Sequence, residues 1–578
     1  MYLRTIQRRN KDGSTVRYVQ LAHNHRKGTQ TQAEVLVQLG REDRLDMDGL
    51  RRLVGSITRY LDGAGALPPA TDAGQDQALA LAVESSRTLG AVWLLDGLWQ
   101  RLGVADALRG VLGARRFTTD VERVLFALVA NRAIEPMSKL SAAEWASEDV
   151  AIPGLTGMDD DQAYRAMDLL VQADVQGQVQ QAVFFAVADL LNLEVDLLFF
   201  DTTSTYFERD EPDGDGKESD GDGDGKVAAF RVWGKSKDHR DDLPQIVIGL
   251  AVTREGIPVR VWCWPGNTTD ATVLAEVRDD LRGWKLGRVI TVVDRGFSSA
   301  ENLAYLRRGG GHYIAGMRMR DGNKLVEAAL ARQGRYQQVR DNLRVKEVRL
   351  DATDIRFIIC HNPEQAARDQ AQRQTAVARI EAELARIRAQ RERDRAKPTA
   401  ATRARAEAAH VKAECELRDH PTLGRWIRQQ RNGRLVIDRV KVRAEARLDG
   451  KYLLATSDPH LAAEDVALGY KNLLEAERGF RDMKSTLLLR PVLHRLERRI
   501  RAHVLICWLA LLLTRVAERA TGQSWRRIER ETSRLAQVTL AGEAGTVAQT
   551  TPLKPTQRAI YQALSVEPAP RVSVFDPT

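Results

Sequence analysis

Two apolar runs of this chain each stop abruptly at an aspartate, and this pattern constrains the fold more than any other feature. Residues 195–200, Val-Asp-Leu-Leu-Phe-Phe, precede Asp201, and residues 288–293, Arg-Val-Ile-Thr-Val-Val, precede Asp294. Short apolar runs bounded by polar residues predict buried strands. We therefore expect each aspartate at the carboxyl end of a strand, the edge at which open α/β sheets bind their ligands.

A third carboxylate, Glu477, lies seven residues from both Tyr470 and Lys484. Because a helix drifts by only about 20° over seven residues, these three side chains are predicted to share one helix face. A lone aspartate at a strand end is more often a turn or helix-capping residue. Asp201, Asp294 and Glu477 together, however, offer oxygen ligands from separate parts of the chain. Such a set suits divalent metal ions and a phosphodiester substrate.

The charge of the chain is mildly basic and unevenly distributed. Its 578 residues contain 87 Lys+Arg and 78 Asp+Glu, which gives a net charge of +9. Residues 481–501 contain seven basic side chains and two acidic ones. A basic cluster directly after Glu477 predicts a polyanionic partner, and we expect Arg495, Arg498 and Arg499 to contact it.

Cysteine usage and hydropathy indicate where the protein works. Four cysteines without a Cys-x-x-Cys pair argue against a disulfide framework and for a reducing compartment. The first residues lack the apolar segment of a secretory signal. The longest apolar run, residues 504–513, has about half the length that crosses a bilayer and predicts a buried core helix. We expect a cytoplasmic, nucleoid-associated protein with no membrane partner.

The order of predicted elements divides the chain into six parts. They are a small β-hairpin module (1–60), a helical domain (80–194), the first part of an α/β core (195–314), an insertion with a helical hairpin (315–458), the second part of the core (459–540) and a loosely packed tail (541–578). Predicted strands at 196–202, 245–252, 257–264 and 289–294, with a helix at 270–284, favour a three-layer α/β domain. Further strands are predicted in the insertion at 343–350, 355–361, 434–442 and 451–456.

An acidic, glycine-rich loop at residues 210–226 contains the opening of a calcium-binding loop, Asp220-x-Asp222-x-Asp224-Gly225. The twelfth position of such a loop requires a bidentate glutamate, and here it is Arg231. The sequence therefore favours a solvated loop over a calcium site.

Several motifs, in order along the chain, resemble those of insertion-sequence transposases of the DDE type. They are Asp201-Thr-Thr-Ser-Thr-Tyr-Phe-Glu208, Gly234-Lys-Ser-Lys-Asp238, Asp242-Leu-Pro-Gln245, Gly266-Asn-Thr-Thr-Asp270 and Asp294-Arg-Gly-Phe297. The closest similarity is to the branch with a Tyr-x2-Arg-x3-Glu-x6-Lys signature, on which Tyr470, Glu477 and Lys484 fall in register. Leu473 replaces the arginine of that signature, and we expect Arg481 to supply its charge.

The resemblance implies an RNase H-like catalytic core that is interrupted by a β-rich insertion. It also implies that Asp201, Asp294 and Glu477 hold two Mg²⁺ ions, for which Mn²⁺ can substitute. Water would attack a phosphodiester at the end of the mobile element, and the freed 3′-OH would then attack target DNA. The helical domain would read the DNA ends, although a scaffold or dimerisation role is equally compatible with its sequence.

Further side chains are candidates for contact with DNA. Lys235, Lys237 and Arg240 are expected to meet phosphates, with a polar turn as the alternative. Tyr470 and Lys484 are expected to position DNA, since bound metal activates the nucleophile. Trp426 is a candidate for stabilising a flipped base, but a buried core tryptophan is favoured at roughly two to one.

The sequence as a whole predicts a DNA transposase that acts on the terminal inverted repeats of its own element and on target DNA, as a homodimer. One alternative is a metal-dependent nuclease of the same fold without strand transfer. The other is a catalytically inactive, transposase-derived DNA-binding regulator, against which the intact acidic positions argue.

Overall fold

The computed structural model describes residues 2–9, 15–27, 30–42, 45, 49–50, 52, 54, 82–113, 120–174, 177–193, 195–209, 211–213, 229–286, 288–542 and 545–576. Asp220, Asp222 and Asp224 of the acidic loop lie outside these residues. The chain forms two compact units. The first unit comprises Met1–Glu194, Thr202–Thr268 and Glu475–Thr578, and the second comprises Val195–Asp201 and Thr269–Leu474.

Strands and helices alternate along most of the described chain, so the fold class is mixed α/β, as predicted. The strands are β1 (Tyr2–Arg9), β2 (Thr15–Lys27), β3 (Gln30–Arg41), β4 (Ala82–Thr88), β5 (Leu197–Tyr206), β6 (Gln245–Thr253), β7 (Pro258–Pro265), β8 (Ile290–Val293), β9 (His312–Met317), β10 (Gln337–Arg340), β11 (Leu343–Arg349), β12 (Arg356–His361), β13 (Ile427–Gln429), β14 (Leu435–Ile437), β15 (Lys451–Thr456), β16 (Ala536–Gly542), β17 (Gly545–Thr550) and β18 (Val572–Asp576).

The α-helices are numbered in chain order. They are α1 (Gly90–Arg101), α2 (Val104–Leu112), α3 (Val121–Ile134), α4 (Lys139–Glu144), α5 (Asp160–Ala173), α6 (Gln178–Leu191), α7 (Asp270–Gly283), α8 (Ala300–Arg307), α9 (Lys324–Ala331), α10 (Pro363–Asp394), α11 (Ala400–Arg418), α12 (Arg439–Ala446), α13 (Ala463–Lys471), α14 (Leu474–Ser485), α15 (Glu497–Thr521), α16 (Trp525–Thr532) and α17 (Pro555–Ala563).

The first unit begins with a three-stranded antiparallel sheet in the order β1-β2-β3. Thr5 pairs with Val19 across β1 and β2, and Leu21 pairs with Val37 across β2 and β3. Ala22 is fully buried and Val19 nearly so. These strands lie within the residues predicted to form a small β module.

Helix α15 is the core of the first unit. Residues 504–513, in the middle of its 25 residues, are apolar on every face, and α3 and α5 pack against the helix. Among the described residues it is the one helix long and apolar enough to cross a membrane, but 94% of its most apolar window is buried inside the protein. A helix that is hydrophobic all round is buried. The prediction of a core helix at 504–513 is therefore confirmed.

The C-terminal residues, predicted to be a loosely packed tail, are ordered instead. Strands β16, β17 and β18 form a four-stranded antiparallel sheet with β4, in the order β18-β17-β16-β4. Helix α17 buries Tyr561 completely, and the Tyr561 hydroxyl donates a 2.7 Å hydrogen bond to the carbonyl of Gly90. The prediction was wrong because Thr, Ala and Pro dominate this stretch, whereas a few apolar side chains decide its packing.

The second unit is built on a mixed sheet in the order β10-β11-β12-β15-β9-β8-β5. Strands β5, β8 and β9 are parallel neighbours, whereas the pairings of β10, β11, β12, β15 and β9 are antiparallel. Strand β5 continues beyond Asp201 into the first unit, where β6 and β7 follow it in the sheet order. All nine residues of β6 are buried, as expected for a strand covered on both faces.

A helical hairpin forms the middle of the second unit's insertion. Helices α10 and α11 enclose a cluster of apolar side chains that includes Ile380, Leu384, Leu417 and Trp426. The strand predicted at 434–442 is wrong in its second half. Strand β14 ends at Ile437, because the Asp438 carboxylate accepts hydrogen bonds from the next backbone amides and caps α12.

Candidate functional site

Asp201 and Asp294 lie side by side in the second unit. Strands β5 and β8 are parallel, and their last paired residues are Phe200 and Val293. Asp201 and Asp294 are the residues that directly follow this last pair, so the two occupy equivalent positions on neighbouring backbone segments about 4.8 Å apart. Both side chains are half-buried.

Asp294 directly follows the end of β8, as predicted, but Asp201 does not end its strand. Strand β5 runs on to Tyr206. The five residues after Asp201 are Thr-Thr-Ser-Thr-Tyr, and threonine and tyrosine favour strands although they are polar. The loss of hydrophobicity at Asp201 therefore marks the end of the parallel pairing with β8 and not the end of the strand.

Tyr470 contacts one member of this carboxylate pair. Its hydroxyl donates a 2.9 Å hydrogen bond to Oδ1 of Asp294. Burial raises the pKa of Tyr470 well above its ordinary value, and the negative charges of Asp294 and Asp201 raise it further. The phenol therefore stays protonated and acts as a hydrogen-bond donor to the aspartate.

The prediction that Tyr470, Glu477 and Lys484 share one face of a single helix is wrong. Helix α13 ends at Lys471, and α14 begins at Leu474. The amides of Asn472 and Leu473 bond to carbonyls only three residues back, which makes a tight turn between the helices. Leu473, the position of the signature arginine, is 6% exposed in that turn. Residues that are seven apart share one face only when the helix between them is unbroken.

Glu477 and Lys484 belong to the first unit, on α14. Glu477 is exposed in the first turn of the helix, while the Lys484 side chain is 12% exposed. The Lys484 ammonium donates to Oγ1 of Thr203 at 2.8 Å and to both oxygens of Asp238 at 3.0 Å. Burial lowers the pKa of Lys484, and Asp238 partly opposes that shift.

Asp238 was not predicted as a site residue, although it ends the Gly-Lys-Ser-Lys-Asp motif. Its carboxylate also lies 3.1 Å from the guanidinium of Arg490. The neighbouring Lys237 donates to the carbonyl and the hydroxyl of Thr202, at 2.8 and 2.5 Å. Three cations of the first unit are thus gathered around the second half of β5.

Two glycines allow the loop that carries Lys237 and Asp238 to pack closely against the neighbouring backbone. A Cβ on Gly234 would lie 1.9 Å from the carbonyl oxygen of Gly266, and one on Gly266 would lie 2.3 Å from that of Val232. No side chain fits at such distances, so both positions require glycine. The close approach of these two segments explains why each motif contains a glycine.

The remaining predicted DNA contacts differ in their surroundings. Arg240 is paired with Asp242 at 2.8 Å, and Arg498 and Arg499 both lie within 3.4 Å of Asp168 on α5. Among these remaining predicted DNA contacts, the exposed side chains are Lys235, Arg481 and Arg495. These side chains all belong to the first unit.

Trp426 occupies a core position of the insertion. Its side chain is 4% exposed and packs with the apolar cluster of the helical hairpin. The guanidinium of Arg425 covers its ring at 4.1 Å from the centroid. Contact with a flipped base stays a prediction, and it would require this packing to open.

The Asp201 and Asp294 pair suits a divalent ion, because Mg²⁺ prefers oxygen ligands and is often bound by one or two carboxylates plus substrate phosphate. Within the described ranges, no group of three or more His, Cys, Asp or Glu side chains is placed to hold a metal ion. The second unit therefore offers two carboxylates, and Glu477 belongs to the first unit.

Comparisons with known proteins identify two matching family models. Residues 3–70 match the N-terminal domain of the IS1634 family transposases, and residues 213–513 match the transposase DDE domain. No curated protein matches the chain. A cryo-EM structure of a piggyBac transposase synaptic complex with hairpin DNA is similar at 9% identity, over 77% of this chain and 79% of that one, with a TM-score of 0.33.

Proposed function

Because this chain belongs to the DDE transposases of insertion sequences, we propose that it cuts the ends of its own element and joins the freed 3′-OH to target DNA. The observation that carries the proposal is the parallel pairing that brings Asp201 level with Asp294. Two carboxylates at one point of a sheet, in a transposase, are best explained as ligands of catalytic metal. The core that presents them would be RNase H-like.

The acidic residues have distinct tasks in this proposal. Asp201 and Asp294 hold divalent ions from the sheet, and Glu477 completes the ligand set from α14. When bound, two Mg²⁺ ions, or Mn²⁺ in their place, supply activation of the attacking oxygen and stabilisation of the leaving one. Tyr470 holds Oδ1 of Asp294 through its hydroxyl.

The basic side chains would contact the DNA backbone. Lys484, Lys237 and Arg490 are gathered at one place in the first unit, where a phosphate can replace the Asp238 carboxylate as the counter-charge of Lys484 and Arg490. Lys235, Arg481 and Arg495 are exposed and add to the positive electrostatic potential that attracts DNA. Phosphate contacts of this kind position DNA without reading its sequence. A homodimer would bring two such sets to the two element ends.

The test is strand cleavage of DNA that carries the ends flanking the gene, with Mg²⁺, by the wild-type protein and by Glu477→Gln. Glu475→Gln is the matched control, since Glu475 lies on the same helix and pairs with Arg478. We expect the wild type and the control to cleave and Glu477→Gln to bind DNA without cleaving it.

Other outcomes identify the alternatives. Cleavage without joining of the 3′-OH to target DNA would indicate a nuclease. Tight binding by all three proteins with cleavage by none would indicate a regulator. Equal loss of DNA binding in Glu477→Gln would give Glu477 a structural role.

A further inference from the structure

Gly316 lies next to the carboxylate pair in the second unit. It belongs to β9, which runs parallel to β8, and the last residues paired between them are Val293 and Ala315. Gly316 is therefore level with Asp294, one residue further along each strand. Its backbone lies outside the positive-φ region that favours glycine, so the conformation itself admits any residue.

Space, rather than conformation, requires glycine at this position. A Cβ on Gly316 would lie 2.3 Å from the hydroxyl oxygen of Tyr470 and 3.0 Å from its Cζ. It would also lie 3.2 Å from the backbone nitrogen of Arg295, which allows little retreat toward β8. To restore ordinary van der Waals contact, the hydroxyl would have to move by about 1 Å.

The Tyr470 ring has little freedom to make that movement. The ring of Tyr452, on β15, stacks against it with centroids 6.1 Å apart and planes inclined by 28°. Strand β15 is the neighbour of β9, and Leu454 of β15 pairs with Gly316. A shift of about 1 Å directed away from Asp294 would stretch the 2.9 Å bond beyond hydrogen-bonding range.

We propose that Gly316 is a positioning residue for Asp294: it leaves the space in which the Tyr470 hydroxyl reaches Oδ1 and fixes the orientation of the carboxylate. This inference rests on the proposed function, in which Asp294 is a metal ligand. Tyr470 accordingly acts on the metal-binding carboxylate rather than on the DNA backbone.

The physical reason is that a metal ligand works best when a hydrogen bond fixes its orientation. Groups that orient ligating carboxylates typically affect metal affinity by about 10–100-fold. A tyrosine hydroxyl is suited to this task, because it donates its hydrogen bond to one oxygen of the carboxylate and leaves the other oxygen to the ion. Gly316 determines whether that donor can be present.

The experiment compares wild type, Gly316→Ala, Tyr470→Phe and the double variant. Mn²⁺ binding to the full chain is measured by titration calorimetry, and thermal unfolding checks the fold. We expect each single variant to weaken Mn²⁺ binding by about 10–100-fold. The double variant should lose no more than Tyr470→Phe alone, since the hydroxyl that the alanine displaces is already absent. Gly283→Ala, at the open end of α7, should bind Mn²⁺ like the wild type.

Fluorine NMR of protein labelled with 3-fluorotyrosine provides a readout of the contact itself. Tyr470→Phe identifies the resonance, and Gly316→Ala should shift it even without metal. An equal loss of Mn²⁺ affinity on Gly316→Ala with and without Tyr470→Phe would give the glycine a merely structural role and overturn the proposal. Unchanged binding by Gly316→Ala beside a wild type that binds Mn²⁺ would overturn this proposal alone. A folded wild type that binds no Mn²⁺ would overturn the proposed function as well.

Discussion

The Lys484 ammonium lies 3.0 Å from both carboxylate oxygens of Asp238, and that carboxylate also lies 3.1 Å from the guanidinium of Arg490. A single negative charge thus balances two cations. Both cations are candidates for contact with phosphate, so in the protein without DNA their charges are held by an internal partner. Asp238 therefore stabilises the cluster and at the same time competes with DNA for it.

Asp238→Asn should reveal that competition. The substitution leaves two cations without their shared partner, so we expect the free energy of unfolding to fall by about 1–3 kcal/mol. We also expect tighter DNA binding at low salt, with a plot of log affinity against log salt that is steeper by about one unit. Binding titrations over a salt series measure both effects. Asp419→Asn, at the exposed pair with Arg418 in the insertion, is the control. A shallower slope for Asp238→Asn would contradict the proposed competition.

Gly234→Ala should disrupt the loop that carries Lys237 and Asp238. The added methyl group would meet the Gly266 carbonyl at 1.9 Å and Nε2 of Gln245 at 2.7 Å. We expect a loss of about 3 kcal/mol or more in unfolding free energy, as for severe overpacking. Denaturant unfolding measures it.

Gly110→Ala is the matched control for this change. Gly110 lies within α2, and beyond its chain neighbours and the backbone of its own helix no described atom would come within 4 Å of its Cβ. Alanine favours a helix over glycine, so this variant should gain about 0.5–1 kcal/mol. Equal effects of the two variants would contradict the packing argument.

Glu122 should make stability depend on pH in the acidic range. Its side chain is 2% exposed and accepts bonds from Trp99 at 2.6 Å, Arg109 at 2.6 Å and Arg123 at 2.5 Å. Burial raises the pKa of Glu122, but the hydrogen bonds and charges of Arg123, Trp99 and Arg109 outweigh it, and the net pKa is lowered below 4.5. The stabilisation is therefore present above the pKa of the unfolded chain and is lost as pH falls through the folded one.

Replacing Glu122 by glutamine tests this dependence. We expect Glu122→Gln to cost about 1–3 kcal/mol near neutral pH, because it removes one of the two carboxylates that pair with the buried Arg123 guanidinium, Asp96 being the other. The difference from wild type should shrink as the pH is lowered toward about 3. Thermal unfolding over this range measures it, with the exposed Glu144→Gln as control. A deficit that stays constant with pH would show that the charge of Glu122 is not the cause.

Lys139→Met should stabilise the protein. The Lys139 ammonium is buried, is within the described residues without a hydrogen-bond partner, and has Arg132 as a neighbouring cation. Burial first, and then the charge of Arg132, lower the pKa of Lys139 to about 7. Above about pH 7, Lys139 is neutral in the folded protein but still protonated in the unfolded chain. The free energy of unfolding of the wild type should therefore rise as the pH rises from about 7 toward the pKa of this lysine in the unfolded chain.

Methionine carries no charge, so Lys139→Met removes the free-energy cost of burying an ammonium group. We expect a gain of about 1–3 kcal/mol near neutral pH that shrinks at higher pH. Thermal unfolding at a series of pH values measures the gain, and the exposed Lys412→Met should show none. A loss of stability in Lys139→Met would mean that the ammonium has a favourable partner.

The sequence predicts local elements well where hydrophobicity changes sharply. Strand β15 has its predicted bounds, and Asp294 follows β8 as expected, because apolar residues end abruptly at both. The same reasoning placed the end of β5 at Asp201, which is wrong because the threonines that follow continue the strand although they are not apolar. Burial of Tyr561 and the turn at Leu473 depend on packing partners far away in the chain, which no local pattern contains.

The site was predictable in its residue types more than in its geometry. Motif spacing singled out Tyr470 and Lys484, but their partners, Asp294 and Asp238, lie 176 and 246 residues away. Gly316 gave no signal in the sequence, because its requirement comes from a ring on another element. Contacts of this kind depend on strand register, which the sequence leaves open.

The position of α15 along the chain has a consequence for synthesis on the ribosome. Helices α3 and α5, made early, pack against a helix that ends at Thr521. More than 300 residues separate the end of the first segment of that unit from Thr521, and at about 5–20 residues per second their translation takes roughly 20–60 s. During that time the early helices have an uncovered apolar face. Folding of the first unit is therefore post-translational in large part, and an interrupted chain is a natural substrate for chaperones and proteases.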